Sequence, residues 1–253
     1  MSFFVAKNRV ALIVGASDSI GEAMGIRLGK AGANVVLIDS DSDKVETVVK
    51  NIANSGVNVE GKVIDINDPN QVEDVVKAIS DKFGSIDILI NAVDYINCTP
   101  ITGASIDDWN AAINNNLVPM FLFSKYIIPK MQTKKYGRIV NISEITYLGM
   151  PGTSNYAAAK SGIFGFTRAL ALELAKDGIT VNTVVKGDIN VQRKQLSEEE
   201  LQRTTAAIPV KRLGMPEDIA YAVSYFVSDK SNYTTGQTFF VCGGKSIYSS
   251  MSI

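Results

Sequence analysis

The sequence contains no histidine among its 253 residues. This absence excludes Ser-His-Asp and Cys-His nucleophile pairs, and it excludes every metal site that needs a histidine ligand. Any proton transfer must use tyrosine, lysine, aspartate, glutamate, cysteine or water. We therefore predict a protein without a metal site.

Cysteine and long apolar runs are also scarce. Cys98 and Cys242 could form at most one bridge, which is not a disulfide framework, so both are expected to be reduced. No segment holds eighteen uncharged apolar residues in a row, and the first residues lack the pattern of a secretory signal. We expect a cytoplasmic protein with no membrane partner.

Neither sign of charge is in clear excess, since 25 basic residues face 26 acidic ones. No basic block is present, so a nucleic-acid partner has little electrostatic support. The hydrophobic content of 46% is enough for a substantial core. Because no linker or internal repeat divides the chain, we predict a single domain over residues 1–253.

Apolar runs alternate with segments of helical length and periodicity. The runs are RVALIV, NVVLID, VEGKVIDI, IDILIN, GRIVNIS, ITVNTVV and TFFV, and helices are predicted near residues 20–31, 42–55, 69–83, 107–131, 156–176, 197–206 and 216–228. Continuous apolar strands suit a parallel sheet that is covered on both faces. The prediction is an α/β fold with a doubly wound, Rossmann-like parallel sheet of seven strands.

A glycine-containing turn, VGASDSIGEAMG, follows the first predicted strand. Gly15 and Gly21 fit a turn whose backbone N–H groups face a pyrophosphate, whereas Ser19 interrupts the glycine spacing, crowding the approach or offering a hydroxyl. Asp39 ends the second strand, where a carboxylate would bind both ribose hydroxyls of NAD and repel the 2′-phosphate of NADP. Alternatively, the glycines close a turn and Asp39 caps a helix.

The stretch SEITYLGMPGTSNYAAAK places Tyr156 and Lys160 four residues apart, with Ser143 thirteen residues before the tyrosine. Together with GASDSIG, DILIN, NNNLVPMF, RLGMPEDIAYAVSYFVSD and TGQTFFVCGG, it resembles the short-chain dehydrogenase/reductase family over residues 9–244. Because residues i and i+4 share a helical face, we expect the Lys160 ammonium to lower the pKa of the Tyr156 phenol, allowing it to act as a general acid and base.

The resemblance implies specific roles for individual residues. Lys160 would also hold the nicotinamide ribose, Ser143 would orient the substrate, and Asn116 would hold a water of the proton relay. The remaining implied contacts to NAD come from the turn and the strand ends: Gly15, Ser17, Ser19, Ile20, Gly21, Asp39, Asp65, Ile66, Asn91 and Ile189.

The chain departs from the family pattern at the cofactor path. Counting forward from Gly137 places Glu144, rather than Ser143, at the catalytic serine position, and a carboxylate there would raise the pKa of the phenol; we favour Ser143. Ala92, Val93 and Asp94 replace Asn-Ala-Gly, which should weaken dinucleotide binding. Lys186 replaces a proline and could offset Asp94, bind an acidic substrate group, or simply face solvent.

Two functions remain open. In the first, the protein is an NAD-dependent oxidoreductase that interconverts a secondary alcohol, including a hydroxyacyl thioester, and a ketone. In the second, it is a cofactor-poor, catalytically impaired subunit of a hetero-oligomeric dehydrogenase.

The expected substrate wall is mostly apolar, with three basic side chains that could meet a carboxylate or carrier phosphates: Tyr95, Ile96, Tyr147, Leu148, Met150, Ile189 and Val191, with Lys186, Arg193 and Lys194. The resemblance further implies a homotetramer, or a hetero-oligomer with a relative, built on the helices near 107–131 and 156–176.

Overall fold

A computed structural model describes residues 6–15, 17–191 and 197–248. The strands are Val10–Val14 (β1), Asn34–Asp39 (β2), Val59–Val63 (β3), Ile88–Asn91 (β4), Gly137–Glu144 (β5), Ile179–Lys186 (β6) and Thr238–Val241 (β7). The helices are Ser19–Lys30 (α1), Ser42–Asn54 (α2), Pro69–Phe83 (α3), Ile106–Lys134 (α4), Ser154–Leu174 (α5), Glu198–Ala206 (α6), Pro216–Val227 (α7) and Lys245–Tyr248 (α8).

The strands form one parallel sheet in the order β3-β2-β1-β4-β5-β6-β7. The order reverses between β1 and β4, which pair in parallel from Ala11 against Ile88 to Val14 against Asn91. In open parallel sheets, ligands bind outside the carboxyl ends of the strands at such a reversal. The topology therefore places the candidate site beyond Val14 and Asn91.

Helices cover both faces of the sheet, as the unbroken apolar strands predicted. Ala11 and Ile13 of β1 belong to one core with Met24 of α1, Ile52 of α2 and Phe226 of α7. Leu12 and Val14 point to the other face, where they join a core with residues of α3, α4 and α5. Both faces of β1 are fully buried, so the doubly wound architecture is confirmed.

The predicted elements agree with the structure except at their ends. β3 ends at Val63 instead of continuing to Ile66, because its partner β2 ends at Asp39, which is paired with Val63. β5 extends one residue further than predicted, to Glu144. Among the described residues, no helix combines the length and the apolar character that crossing a membrane requires.

Candidate functional site

A cleft of about 510 Å³ opens at the carboxyl ends of β1, β2 and β4. Its wall includes Gly15 and Ser17 after β1, Asp39 at the end of β2, and Val93 and Asp94 after β4. A second cavity, of about 590 Å³, lies between α7 and β7 and is lined by aromatic side chains such as Tyr221 and Phe239. The chemistry predicted from the sequence lies at the first cleft.

The turn after β1 has the backbone that its glycine allows, but a neighbouring side chain fills the space beside it. Gly15 has a φ of +74° and donates its N–H to the Ile38 carbonyl at 2.9 Å. A Cβ at this position would lie 2.5 Å from both the Cα and the Cγ2 of Val93. Gly15 is therefore needed for close packing against Val93 in the segment after β4.

The N–H groups at the start of α1 already have an anionic partner. Asp18 is the N-cap residue, and its Oδ1 accepts hydrogen bonds from the N–H groups of Ile20 and Gly21, both at 3.0 Å. These are among the N–H groups that a pyrophosphate was expected to bind. Sequence reasoning missed Asp18, although an aspartate directly before a helix is a recognised capping signal.

The two serines of the turn have different surroundings. Ser17 is buried, and its hydroxyl donates to Asp39 Oδ2 at 2.6 Å. Ser19 begins α1, and its buried Oγ has no hydrogen-bond partner among the described residues. The hydroxyl of Ser19 is therefore available to a donor or an acceptor, and its expected contact with a phosphate stays a prediction.

The adenosine end of the expected cofactor site is better preserved. Asp39 lies in the cleft, where its Oδ1 accepts the N–H of Ser40 at 2.7 Å. Ile66 is buried and lines the same cleft. The Asp65 side chain contacts its own loop, where its Oδ1 accepts the N–H of Asn67 at 2.9 Å. These positions agree with the expected sites for a ribose and an adenine, and their binding role stays a prediction.

Tyr156 and Lys160 lie on the first turns of α5, and both side chains are almost fully buried. Their partner is Asp94, the residue that the sequence identified as an added negative charge. The Tyr156 hydroxyl donates to Asp94 Oδ1 at 2.6 Å, and the Lys160 Nζ lies 3.1 Å from the same oxygen. The Lys160 Nζ also donates to the Val93 carbonyl at 2.8 Å. The segment after β4 thus engages both groups.

A second lysine completes this cluster. The Lys186 Nζ, at the end of β6, lies 3.1 Å from Asp94 Oδ2, so each carboxylate oxygen faces one ammonium group. Of the three roles considered for Lys186 from the sequence, the structure shows the offset of Asp94. We call Asp94, Tyr156, Lys160 and Lys186 the Asp94 cluster.

The charges of the Asp94 cluster reverse the predicted titration of the tyrosine. Burial disfavours the charged carboxylate, but Lys160 and Lys186 outweigh it and hold the pKa of Asp94 far below its usual range. Burial, followed by the charge of Asp94 and its hydrogen bond, raises the pKa of Tyr156 well above its usual value. The expectation that Lys160 lowers this pKa is therefore wrong here, because burial and the negative charge of Asp94 raise it.

The pKa values of the two lysines are shifted in opposite directions. Burial lowers the pKa of Lys160 even though Asp94 acts against it. For Lys186 the effect of burial is outweighed by the charges of Asp94 and Glu144, which raise the pKa of its ammonium group. Both lysines lower the pKa of Asp94, and the charge of Lys160 has the larger effect.

The choice between Ser143 and Glu144 also needs correction. Ser143 is completely buried in β5, and its hydroxyl donates to the Lys160 carbonyl at 3.1 Å instead of meeting the phenol. Glu144 accepts the N–H of Thr146 at 3.1 Å, and its charge adds to burial and Asp94 in raising the pKa of Tyr156. The preference for Ser143 as the group facing the phenol is not supported, because its buried hydroxyl donates to the backbone of α5. Its expected role in orienting a substrate stays a prediction.

Two asparagines of the predicted set make structural contacts. Asn116 of α4 is fully buried, and its amide donates to the Tyr95 and Ala112 carbonyls at 2.9 and 2.8 Å. Asn91 ends β4 and donates to Asn141 Oδ1 at 2.8 Å. Asn116 thereby fixes the segment that follows Asp94, and its expected contact with a relay water remains a prediction.

The predicted substrate wall is only partly brought together. Tyr95, Ile96 and Val191 line the cleft. Ile189 instead packs against the core and forms an isolated β-bridge with Gly214. It is not among the residues that line the cleft, and its expected cofactor contact stays a prediction. Leu148 and Met150 are exposed, while Arg193 and Lys194 lie outside the described residues.

These contacts test whether the site fits the dinucleotide predicted from the sequence. A diphosphate would meet the carboxylate of Asp18 on the N–H groups of α1. Lys44, the cation that lines the cleft, already pairs with Asp41. The residues fit an adenosine group near Asp39, but they do not fit the diphosphate.

Comparison with known proteins places these features in context. Residues 15–246 match a protein family described as enoyl-(acyl carrier protein) reductase. The chain is 41% identical over 250 residues to the (2S)-[(R)-hydroxy(phenyl)methyl]succinyl-CoA dehydrogenase subunit BbsC of Thauera aromatica, with 98% of each chain covered. It is 39% identical over 243 residues to subunit BbsD of the same dehydrogenase, covering 96% of this chain and 98% of BbsD.

A solved structure shows the same likeness in three dimensions. An actinorhodin polyketide ketoreductase crystallised with NADPH superposes with a TM-score of 0.90 at 30% identity, covering 96% of this chain and all of the ketoreductase. The similarity therefore extends over the whole sheet and its helices, including the cleft.

Proposed function

The chain belongs to the short-chain dehydrogenase/reductase family of oxidoreductases. We propose that it is a subunit of a dehydrogenase that acts on a hydroxyacyl or ketoacyl thioester. Its own active site is impaired in hydride transfer. The observation that carries the impairment is the hydrogen bond from the Tyr156 hydroxyl to Asp94. This proposal adopts the second of the two functions left open by the sequence.

The surroundings of Tyr156 shift its pKa away from the range that suits acid and base catalysis. A general acid and base works best when its pKa lies near the working pH. Burial and Asp94 move the pKa of Tyr156 in the opposite direction. Forming a phenolate would place a second negative charge beside the carboxylate of Asp94, within 2.6 Å of one of its oxygens. Lys160, whose ammonium would stabilise the phenolate, is already shared between Asp94 and the Val93 carbonyl.

The cofactor cleft supports the same proposal. The family binds a nicotinamide cofactor, which would supply or accept the hydride when bound. In this chain Asp39 and Ile66 would hold the adenosine group, whereas the Asp18 carboxylate opposes the diphosphate. If a dinucleotide binds, Asp39 favours NAD over NADP, because its carboxylate repels a 2′-phosphate.

The relatives support the substrate class and the assembly. BbsC and BbsD are named as two subunits of one dehydrogenase of a hydroxyacyl-CoA, and this chain resembles both at nearly equal identity. Exposed apolar side chains on the long helices provide surfaces for a related subunit, since Phe121 of α4 and Leu172 of α5 are 51% and 85% exposed. We propose a hetero-oligomer with a family relative.

A second candidate function is direct catalysis by this chain. It is favoured by one observation: Tyr156, Lys160 and Asn116 are all retained, and Tyr156 and Lys160 meet beside a cleft that also contains Asp39. In that case the protein would itself interconvert the alcohol and the ketone with NAD(H). This function requires Asp94 to leave the phenol when substrate binds.

The purified chain tests the two functions. NADH is titrated by calorimetry to about 1 mM, the upper end of ordinary KM values, and acetoacetyl-CoA is then supplied as a ketoacyl thioester while NADH absorbance is followed. We expect neither binding nor turnover. Saturable NADH binding accompanied by oxidation would establish direct catalysis and contradict the proposal.

The assembled enzyme provides a second test of the same point. If this subunit is impaired, Tyr156→Phe in this chain should leave turnover of the hetero-oligomer within about twofold. The matching tyrosine of the related subunit serves as the control, because its replacement should abolish turnover. A large loss from Tyr156→Phe alone would show that the site in this chain performs the reaction.

A further inference from the structure

The start of α1 carries a negative charge of its own. Asp18 has an extended backbone and a carboxylate whose Oδ1 accepts two N–H groups, those of Ile20 and Gly21, at 3.0 Å each. The Asp18 carbonyl accepts the N–H of Glu22 at 2.9 Å as well. Three N–H groups in the first turn of α1, those of Ile20, Gly21 and Glu22, thus already donate to Asp18.

This arrangement changes what the helix can attract. The free N–H groups and the dipole of a helix N-terminus are equivalent to about half a positive charge, which normally favours a phosphate. A full carboxylate at the same point outweighs that charge. An entering diphosphate would have to displace the Asp18 carboxylate from the two N–H groups, or remain close to it without their hydrogen bonds.

Neighbouring groups in the cleft add further negative charge, and the cations near it are paired with other carboxylates. Asp39 and Asp41 add two further carboxylates to its wall. Lys44 pairs with Asp41, and Lys186 pairs with Asp94. A diphosphate would therefore meet a predominantly negative surface, whereas an uncharged nucleoside would meet Asp39 as a hydrogen-bond acceptor for its ribose.

We propose that Asp18 is an internal substitute for a phosphate, and that it determines the selectivity of the cleft by favouring uncharged nucleosides over nucleotides that carry a diphosphate. The inference rests on the proposed function in one respect, namely that this cleft corresponds to the cofactor cleft of the family. It does not depend on the contact between Asp94 and Tyr156, because neither residue binds the N–H groups of α1.

Calorimetric titration with adenosine and ADP tests the proposal. The wild-type chain is compared with Asp18→Asn and Asp18→Ser, since both replacements retain a capping oxygen and remove the charge. Asp41→Asn is the matched control: Asp41 caps α2, lines the same cleft and carries the same charge, but it does not bind the N–H groups of α1. Thermal unfolding monitored by circular dichroism verifies that each variant is folded.

We expect the wild-type chain to bind adenosine at least tenfold more tightly than ADP. Both Asp18 variants should bind ADP at least tenfold more tightly than the wild-type chain does, equivalent to about 1.4 kcal/mol, and leave adenosine affinity within about threefold. Asp41→Asn should have a smaller effect on ADP. The wild-type preference should decrease at high salt because the repulsion is screened.

Several results would overturn the inference. They are equal wild-type affinity for adenosine and ADP, an ADP affinity that does not rise in either folded Asp18 variant, and an equal gain in Asp41→Asn. ADP has no nicotinamide, so these outcomes are separate from those that decide the proposed function. NADH turnover by the wild-type chain would refute the impairment and leave the ADP comparison to be judged independently.

Discussion

Two aspartates, one at each end of β4, have similar charged partners and opposite consequences. Asp87 precedes the strand and is paired with Arg9 and Lys134, while Asp94 follows it and is paired with Lys160 and Lys186. Each carboxylate therefore forms ion pairs with two cationic side chains. The difference is in what else each aspartate holds, and at which edge of the sheet.

At the amino edge, the carboxylate joins strands. Asp87 Oδ2 accepts the N–H of Val10 at 3.0 Å, which ties the start of β1 to the start of β4. Its cations are partly exposed, with 25% of the Arg9 side chain and 42% of the Lys134 side chain accessible. The cations retain water, and the carboxylate is satisfied by the fold.

At the carboxyl edge, the same chemistry engages the groups that a catalyst would need. Lys160 is 1% exposed, and the hydroxyl of Tyr156 is the additional donor to Asp94. At the amino edge, the charged contacts of Asp87 stabilise the fold. At the carboxyl edge, Asp94 binds a tyrosine and a lysine, which are then less available to a substrate.

Removing Asp87 should have the largest effect on stability. Asp87→Ala removes the acceptor of the Val10 N–H and the buried carboxylate shared by Arg9 and Lys134, and we expect the free energy of unfolding to fall by about 3 kcal/mol. Asp229→Ala is the matched control, because Asp229 is an exposed partner of the same Arg9. Its loss should cost about 1 kcal/mol or less. Equal losses in urea unfolding would contradict the distinction.

Removing the charge of Asp94 should alter stability less and the site more. We expect Asp94→Asn to reduce the free energy of unfolding by about 1 to 2 kcal/mol, because the carboxylate is partly exposed and its lysines then repel each other. The pKa of Tyr156 should fall toward its ordinary value as the neighbouring negative charge is removed. Titration of the phenolate by ultraviolet absorbance measures this change.

Asp94→Glu is the control for that measurement, since it retains the negative charge. Its phenolate should still appear only at strongly alkaline pH. If the neutral and the charged variant titrate alike, burial alone controls Tyr156, and the contrast between the two ends of β4 is then one of solvent exposure and not of charge.

The raised pKa of Tyr156 predicts a specific alkaline sensitivity. Below the ordinary tyrosine pKa of about 10, the phenol is protonated in both the folded and unfolded states. Above it, the unfolded state loses the proton while the folded state retains it, so stability should fall by up to about 1.4 kcal/mol per pH unit. Tyr156→Phe should lack this component of the alkaline loss.

The measurement is the free energy of unfolding of both proteins between neutral pH and pH 11. At neutral pH the variant should be less stable by about 1 kcal/mol, because it lacks the hydrogen bond to Asp94. The difference should shrink as the pH rises above about 10. Parallel pH profiles would show that the phenol has the same pKa in the folded and unfolded states.

The sequence was informative about the fold because its signals are local. The run NVVLID predicts a buried strand, and β2 spans Asn34–Asp39. Errors arose where pairing between strands decides: the apolar run after residue 59 continues to Ile66, but β3 ends where its neighbour ends. Periodicity along one segment cannot report the length of the strand beside it.

The site was less accessible to sequence reasoning. The departure at Asp94 was visible, as was the expected proximity of Tyr156 and Lys160. That Asp94 contacts Tyr156, Lys160 and Lys186 together depends on the packing of β4, α5 and β6, which come from distant parts of the chain. Asp18 is different, because its capping position could have been recognised from its place before α1.

The smallest predicted effect distinguishes the two neighbours at the end of β5. Ser143→Ala removes one buried hydrogen bond, to the Lys160 carbonyl, and should cost about 1 kcal/mol of stability with little change in the titration of Tyr156. Glu144→Gln should do the reverse: a small fall in the pKa of Tyr156, less than that in Asp94→Asn, because Glu144 ranks behind burial and Asp94 among the causes of the shift. Paired phenolate titrations and urea unfolding would measure both effects. If Ser143→Ala shifts the phenolate more than Glu144→Gln does, the serine faces the phenol after all, and the carboxyl edge retains more of a catalytic arrangement than its hydrogen bonds indicate.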